Sequence, residues 1–261
     1  MDAVQYRKEG VAMASLDQMV VSQGPGLGFD PTPPQELALV ARVLARAGYD
    51  DYLAGHLTYR QGDDTILTNP FAIPWNRLRS SEVCRLDLDG NHLEGPYVSN
   101  PAVRLHLEWH SRRDDLLWTC HNHPRWGTIW ASVHRVPPCY NQSSALVDPI
   151  SLVRDYAGQV NDLRVASDVI DAMGDSTVAL LGNHGVLVGG TNVNELITRA
   201  VYLEYRCRSA WHIESLSGGV TLDDSVATTL QAFQAQNGGG FPGLWAALGR
   251  SECELDPAVL D

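Results

Sequence analysis

The run Leu116-Leu117-Trp118-Thr119-Cys120-His121-Asn122-His123-Pro124 decides how this chain is read. LLWTC, residues 116–120, is a short unbroken apolar stretch of the length and composition of a buried strand. Side chains at i and i+2 of a strand point to one face, so His121 and His123 can offer both imidazoles to one cation, at the ligand distance of about 2.0 to 2.2 Å. Pro124 cannot donate to a sheet ladder and turns the chain outward there. Cys120 adjoins His121, but strand alternation sends its side chain to the opposite face.

A pair of histidines leaves a coordination shell incomplete. The third imidazole is supplied by Asn183-His184-Gly185, which sits between the apolar runs VALLG (178–182) and GVLVGG (185–190) and reads as a tight turn joining two short strands. The competing reading is three unrelated histidines, each satisfied in the core or at the surface. The order of the two motifs, and the elements around them, favour a common site.

Working outward, Leu39, Val43, Leu44 and Ala47 recur at helical spacing within Gln35–Ala47, and Gly48 follows as a stop. From residue 53 to 95, GHLTYR, DTILTNPF and VCRLDLDGNHLEG are short apolar runs broken by turn signals, with Asp89-Gly90 suited to a hairpin or loop. Pro101, after Ser99 and Asn100, can open a helix whose Val103, Leu107 and His110 share a face. Asn194–Leu216 reads as a long helix. The expected organisation is a Gly/Pro-rich N-terminal arm over residues 1–33, one α/β domain over 34–216, and a tail over 217–261, GGGFPG included, that packs on the domain or on a neighbouring subunit.

The bulk properties set limits. With 261 residues, 44% apolar and 19% charged, the chain suits an ordinary folded domain. A formal net charge of −12 argues against a nucleic-acid surface. No apolar stretch approaches the ~20 residues of a membrane span, and the start MDAVQYRKEG lacks the apolar region of a signal peptide. A cytoplasmic protein is expected. Five cysteines, an odd number without CxxC spacing, read as reduced small hydrophobes.

Three segments, Gly55-His56-Leu57-Thr58-Tyr59-Arg60, His121-Asn122-His123-Pro124 and Asn183-His184-Gly185, resemble in order and spacing the class II aldolase/adducin family, over roughly residues 34–216. The resemblance implies a single α/β domain with a central, mostly antiparallel sheet flanked by helices. It also implies a homo-oligomer, often a tetramer, with sites at subunit interfaces, and His121, His123 and His184 as ligands of one divalent cation. Two departures bear on function. Family aldolases place a carboxylate four residues before a histidine on the helix preceding HxH, and that register falls on Ala102, before His106. Where sugar-phosphate members cradle phosphate, this chain has Gly55-His56, Thr68-Asn69-Pro70-Phe71 and Ser99-Asn100-Pro101-Ala102, which fill the cradle with bulk.

Three neutral imidazoles without a carboxylate leave a cation its full charge and open positions, which suits chelating anions. The first expectation is therefore metal-dependent decarboxylation of a hydroxy- or oxo-carboxylate, aromatic in class, with Fe2+, Mn2+ or Zn2+ as the ion. The alternative is a non-haem iron oxygenase with O2 as cosubstrate, cleaving the same class of small-molecule carboxylate oxidatively. An aldolase or epimerase, and an adducin-like scaffold without activity, rank below these.

Each candidate around the metal has a plain counterpart. His56 can bind a carboxylate or move a proton, or is a lone loop histidine. Tyr140 matches the place where the resemblance puts a proton-donating tyrosine delivered across a subunit interface, or is a packed core residue. Arg125 can pair a substrate carboxylate, or lie at the surface. Trp126 and Trp130 can line an apolar pocket, or pack in the core at i, i+4 spacing. Asn69 and Gln142 are further polar candidates. Arg60 reads as a structural ion pair, and His106 and His110, on one helical face, as packing beside the site.

Overall fold

In the computed structural model, which describes residues 26–62, 64–147, 149–155 and 162–261, eight strands form one sheet in the order β4-β3-β2-β1-β5-β8-β7-β6. The elements in chain order are α1 (Pro33–Arg46), β1 (His56–Gln61), β2 (Thr65–Thr68), β3 (Cys84–Asp87), β4 (His92–Glu94), α2 (Arg104–Arg112), β5 (Trp118–Asn122) and α3 (Arg125–Ser132). They continue with β6 (Ser151–Val153), α4 (Leu163–Met173), β7 (Val178–Leu181), β8 (Gly185–Gly190), α5 (Val193–Ser215), α6 (Asp224–Gln236) and α7 (Leu244–Leu255). All neighbouring strands run antiparallel except β6 and β7. This is the mostly antiparallel α/β domain that was expected.

Strand alternation divides the central strands between two layers. Leu57, Trp118, Cys120, Val186 and Val188 point into the core that α1 and α5 cover, with Leu39, Val43, Ile197, Ala200 and Leu203. On the other face Leu187 joins Leu105 and Trp109 of α2 and Val169 and Ile170 of α4. Cross-strand partners share a face, and β1 pairs with β5 through His56↔His121 and Thr58↔Thr119. These four polar side chains therefore lie on the α2 side of the sheet, and Cys120 lies on the other. The five cysteines form no disulfide.

Several local expectations are met with small shifts in their bounds. Gly48 adopts φ +102° just after α1, where a left-handed residue closes the helix. Pro101 opens a short 3-10 turn, Pro101–Val103, that runs into α2, and the Asn100 side chain accepts the Ala102 N–H. The tail carries more order than its Gly-rich sequence suggests, because α7 is pinned to α1. Arg46 pairs with the buried Glu252, and Arg42 donates to Asp256 at 2.7 Å. Of the expected N-terminal arm, residues 1–25 lie outside the described residues. Among the described residues no helix is long and apolar enough to cross a membrane.

Candidate metal centre

His121 is the fourth residue of β5, and His123 follows the strand where Pro124 stops the ladder. His184 stands in the turn between β7 and β8. Asn183, at φ +55°, takes the left-handed conformation that this turn needs and that Asn tolerates better than most residues. Only a glycine fits at position 185, where a Cβ would come within 2.5 Å of the Asn122 carbonyl oxygen and 2.6 Å of His123 Cδ2. Two turns are thereby pressed together, and one ligand atom from each of His121, His123 and His184 falls within 4.8 Å of the others. Among the described residues this is the one group of three or more His, Cys, Asp or Glu side chains so arranged.

The surroundings orient two of the rings. Nδ1 of His121 donates to the Val186 carbonyl at 2.9 Å, and Nδ1 of His123 meets Asp51 Oδ2 at 2.7 Å. In both rings Nε2 is left toward the cluster, the arrangement in which a carbonyl or carboxylate behind a ligating histidine sets its tautomer. Nε2 of His123 is buried without a hydrogen-bond partner. A buried, unpaired nitrogen costs about 1–3 kcal/mol unless something binds it, and a divalent cation fits that need. Burial, and after it the neighbouring imidazoles, hold His121 well below the usual histidine range, while burial and His123 bring His184 down to about 4. His121 and His184 are thus neutral, the form that ligates metals.

A cavity of about 580 Å³ opens over the three histidines. His56 and Ala102 stand on its wall, together with Phe71, Pro101 and Leu105, and among the described residues no Asp or Glu lines it.

The other candidates fall in different places. Asn69 is buried and spends its side chain on the backbone, accepting the Leu57 N–H at 2.8 Å and donating to the Pro70 carbonyl at 3.3 Å. Arg125 is exposed at the start of α3, its guanidinium over the Trp126 ring. Trp126 packs against Trp211 and His212, and Trp130 is buried with its indole N–H donated to the Cys207 carbonyl at 2.8 Å. Tyr140 is half-buried against the core beside Gly219. None of these five lines the cavity. Gln142 begins a 3-10 turn, Gln142–Val147. Arg60 pairs with Asp114 at 3.2 Å and donates to the His110 carbonyl at 2.9 Å.

Asp51 is the partner that sequence reasoning missed. It belongs to no motif, and only the fold of the loop before β1 carries it to His123.

Comparison with known proteins gives a consistent picture. Residues 35–211 match the model of the Class II Aldolase and Adducin N-terminal domain. The chain is 26% identical over 210 residues to a 3,4-dihydroxyphthalate decarboxylase of Arthrobacter keyseri, covering 71% of this chain and 80% of that protein. It superposes on an aldolase II superfamily protein from Pseudomonas syringae with TM-score 0.75 and 26% identity, covering 87% of this chain and 94% of that one. An L-fuculose 1-phosphate aldolase from Glaciozyma antarctica also gives TM-score 0.75, at 19% identity, covering 88% and 96% of the two chains, and shows the shared fold.

Proposed function

The chain belongs to the class II aldolase and adducin family, and from that premise we propose that it is a metal-dependent carbon–carbon lyase that decarboxylates a chelating, aromatic hydroxy- or oxo-carboxylate. One observation carries the reading: among the described residues no carboxylate lines the cavity over His121, His123 and His184, and the Ala102 methyl stands at its wall. In a retro-aldol cleavage by the family pattern, the carboxylate expected at position 102 would take the hydroxyl proton, and the Ala102 methyl cannot accept one. Loss of CO2 does not depend on that carboxylate. It needs stabilisation of the electron pair left behind and a proton to replace the carboxylate. Phe71, Pro101 and Leu105 give the same cavity an apolar side that suits an aromatic ring better than a phosphate.

The chain's own residues divide the work. His121, His123 and His184 would hold a divalent cation, which supplies Lewis-acid stabilisation when bound. Asp51 and the Val186 carbonyl keep two of those rings aimed. His56 stands at the cavity wall, placed to hold or pass a proton at the substrate. Tyr140 lies outside the cavity within one chain, so a proton-donating role for it requires delivery from a neighbouring subunit of a homo-oligomer. The decarboxylase among the relatives supports the reaction class, and the fuculose aldolase supports only the fold.

The test is CO2 release by the zinc- or manganese-loaded protein from 3,4-dihydroxyphthalate and other hydroxylated aromatic acids, run with and without oxygen, beside cleavage of L-fuculose 1-phosphate. Release without oxygen is expected. Release only with iron and oxygen would replace this reading by the oxygenase, and cleavage of the sugar phosphate by an aldolase. His121→Ala and His184→Ala are each expected to lose the metal and stay folded. A variant that kept its full metal content would remove that residue from the site.

A further inference from the structure

Beneath the cavity wall, β1, β5 and α2 enclose a hydrogen-bonded chain that runs back from His56 through residues that the proposed chemistry does not use. Nδ1 of His56 is 2.9 Å from Nε2 of His106, whose Nδ1 is 3.1 Å from the Thr58 hydroxyl. That hydroxyl is 2.9 Å from Nε2 of His110 and 2.6 Å from the Thr119 hydroxyl. Nδ1 of His110 is 3.2 Å from the Leu116 carbonyl oxygen. All five side chains are at most 2% exposed, so each polar atom depends on the partner it has here.

The direction of every bond follows from one end. A carbonyl oxygen only accepts, so Nδ1 of His110 carries a proton. Burial brings His110 down to about 4 and His106 well below the usual range, so each ring is neutral and holds a single proton. Nε2 of His110 is then an acceptor, and the Thr58 hydroxyl must donate to it. A hydroxyl has one proton and two lone pairs. Thr58 therefore accepts from Thr119 and from Nδ1 of His106, which makes Nε2 of His106 an acceptor, and His56 donates to it through Nδ1.

We infer that the Leu116 carbonyl, acting through His110, Thr58 and His106, locks His56 in its Nδ1–H tautomer and leaves Nε2 of His56 as a hydrogen-bond acceptor for a substrate hydroxyl. His106, Thr58 and His110 are positioning residues. The chain ends on a carbonyl, which has no proton to give, so it fixes orientation and does not conduct protons to solvent. An acceptor nitrogen repels a carboxylate oxygen and welcomes an O–H donor, so the hydroxyl rather than the carboxylate of a hydroxy acid lies against His56. This last step rests on the cavity being the substrate site. The lock does not.

The experiment is long-range 1H–15N NMR of the full, zinc-loaded chain with 15N-labelled histidine. His56, His106 and His110 are each expected to show a pyrrole-type Nδ1 and a pyridine-type Nε2. Thr58→Val should leave His56 in mixed tautomers, and Thr58→Ser, which keeps the hydroxyl, should restore one. A protonated Nε2 on His56 in the unaltered protein, or the same single tautomer in Thr58→Val, overturns the lock; if Thr58→Val does not fold, the unaltered protein and Thr58→Ser decide. These spectra need no substrate, so they stand or fall apart from the decarboxylase reading. Added salicylate should move the His56 Nε2 resonance, and benzoate, lacking the hydroxyl, should not; equal shifts overturn the substrate part.

Discussion

Oδ2 of Asp51 stands 2.7 Å from Nδ1 of His123, and this contact turns the other ring nitrogen of His123 toward His121 and His184. Without it the imidazole can rotate or exchange tautomers, and the cation loses a preset ligand. Partners of this kind are worth about 10–100-fold in metal affinity. Asp51→Ala is accordingly expected to weaken zinc binding by about that factor in a competition titration while circular dichroism stays unchanged. Unaltered affinity would reduce Asp51 to a surface carboxylate that happens to lie nearby.

Ala102 lines the same cavity as the three histidines. A glutamate there would share the cavity with the three histidines and carry the charge to be drawn to a cation. Ala102→Glu is expected to add a carboxylate ligand, visible as a changed visible absorption spectrum of the cobalt-substituted protein. An identical spectrum would mean that the carboxylate register does not fall on residue 102.

The positions that the sequence made legible are those fixed by local periodicity. Alternation along β5 separates Cys120 from His121, and helical spacing marks α1 and α5 almost to their ends. Asn183-His184-Gly185 carries its own turn chemistry. Spacing could not say which neighbour a face would meet. Trp126 and Trp130 do share a helix, but Trp130 turns to the Cys207 carbonyl and Trp126 to Trp211, because α5 covers α3. Asn69 looked available until β1 came near enough to take its side-chain oxygen for the Leu57 N–H. His106 and His110 read correctly as one helical face, yet their hydrogen-bonded chain depends on the β1–β5 register, which no local pattern contains. The tail was hard to read for the same reason, since Glu252 and Asp256 gain their meaning from Arg46 and Arg42, two hundred residues earlier in the chain.

Gly185 tests how closely the two ligand turns must approach. An added methyl would meet the Asn122 carbonyl oxygen at 2.5 Å, well inside contact distance, and backbone cannot give way as a flexible side chain does. Gly185→Ala should therefore push β8 from the end of β5 and separate His184 from His121 and His123. Loss of stoichiometric zinc together with a stability loss of about 1–3 kcal/mol is expected, read by elemental analysis and urea unfolding. Full zinc content in a stable Gly185→Ala protein would show that the cluster tolerates a wider spacing than this packing implies.

Glu204 links stability to pH beside the site. From α5 its carboxylate accepts the N–H groups of Trp126 at 2.8 Å and Gly127 at 2.9 Å, tying down the first turn of α3 just after His123-Pro124. Burial raises its pKa from 4.5 to about 7, against the opposing pull of those two hydrogen bonds. The sign follows from linkage. Between pH 4.5 and about 7 the folded state holds a proton that the unfolded state has released, so this group's contribution to stability declines as pH rises through that window and levels off above it. Glu204→Gln cannot titrate and loses one acceptor, so its stability should start lower at the acid end and lack that decline, and the gap between the two proteins should narrow as pH rises. Urea unfolding of both proteins across the window measures the difference between them. If the unaltered protein instead gains stability relative to Glu204→Gln as pH rises, the two backbone donors outweigh burial, and the carboxylate is held charged at the head of α3.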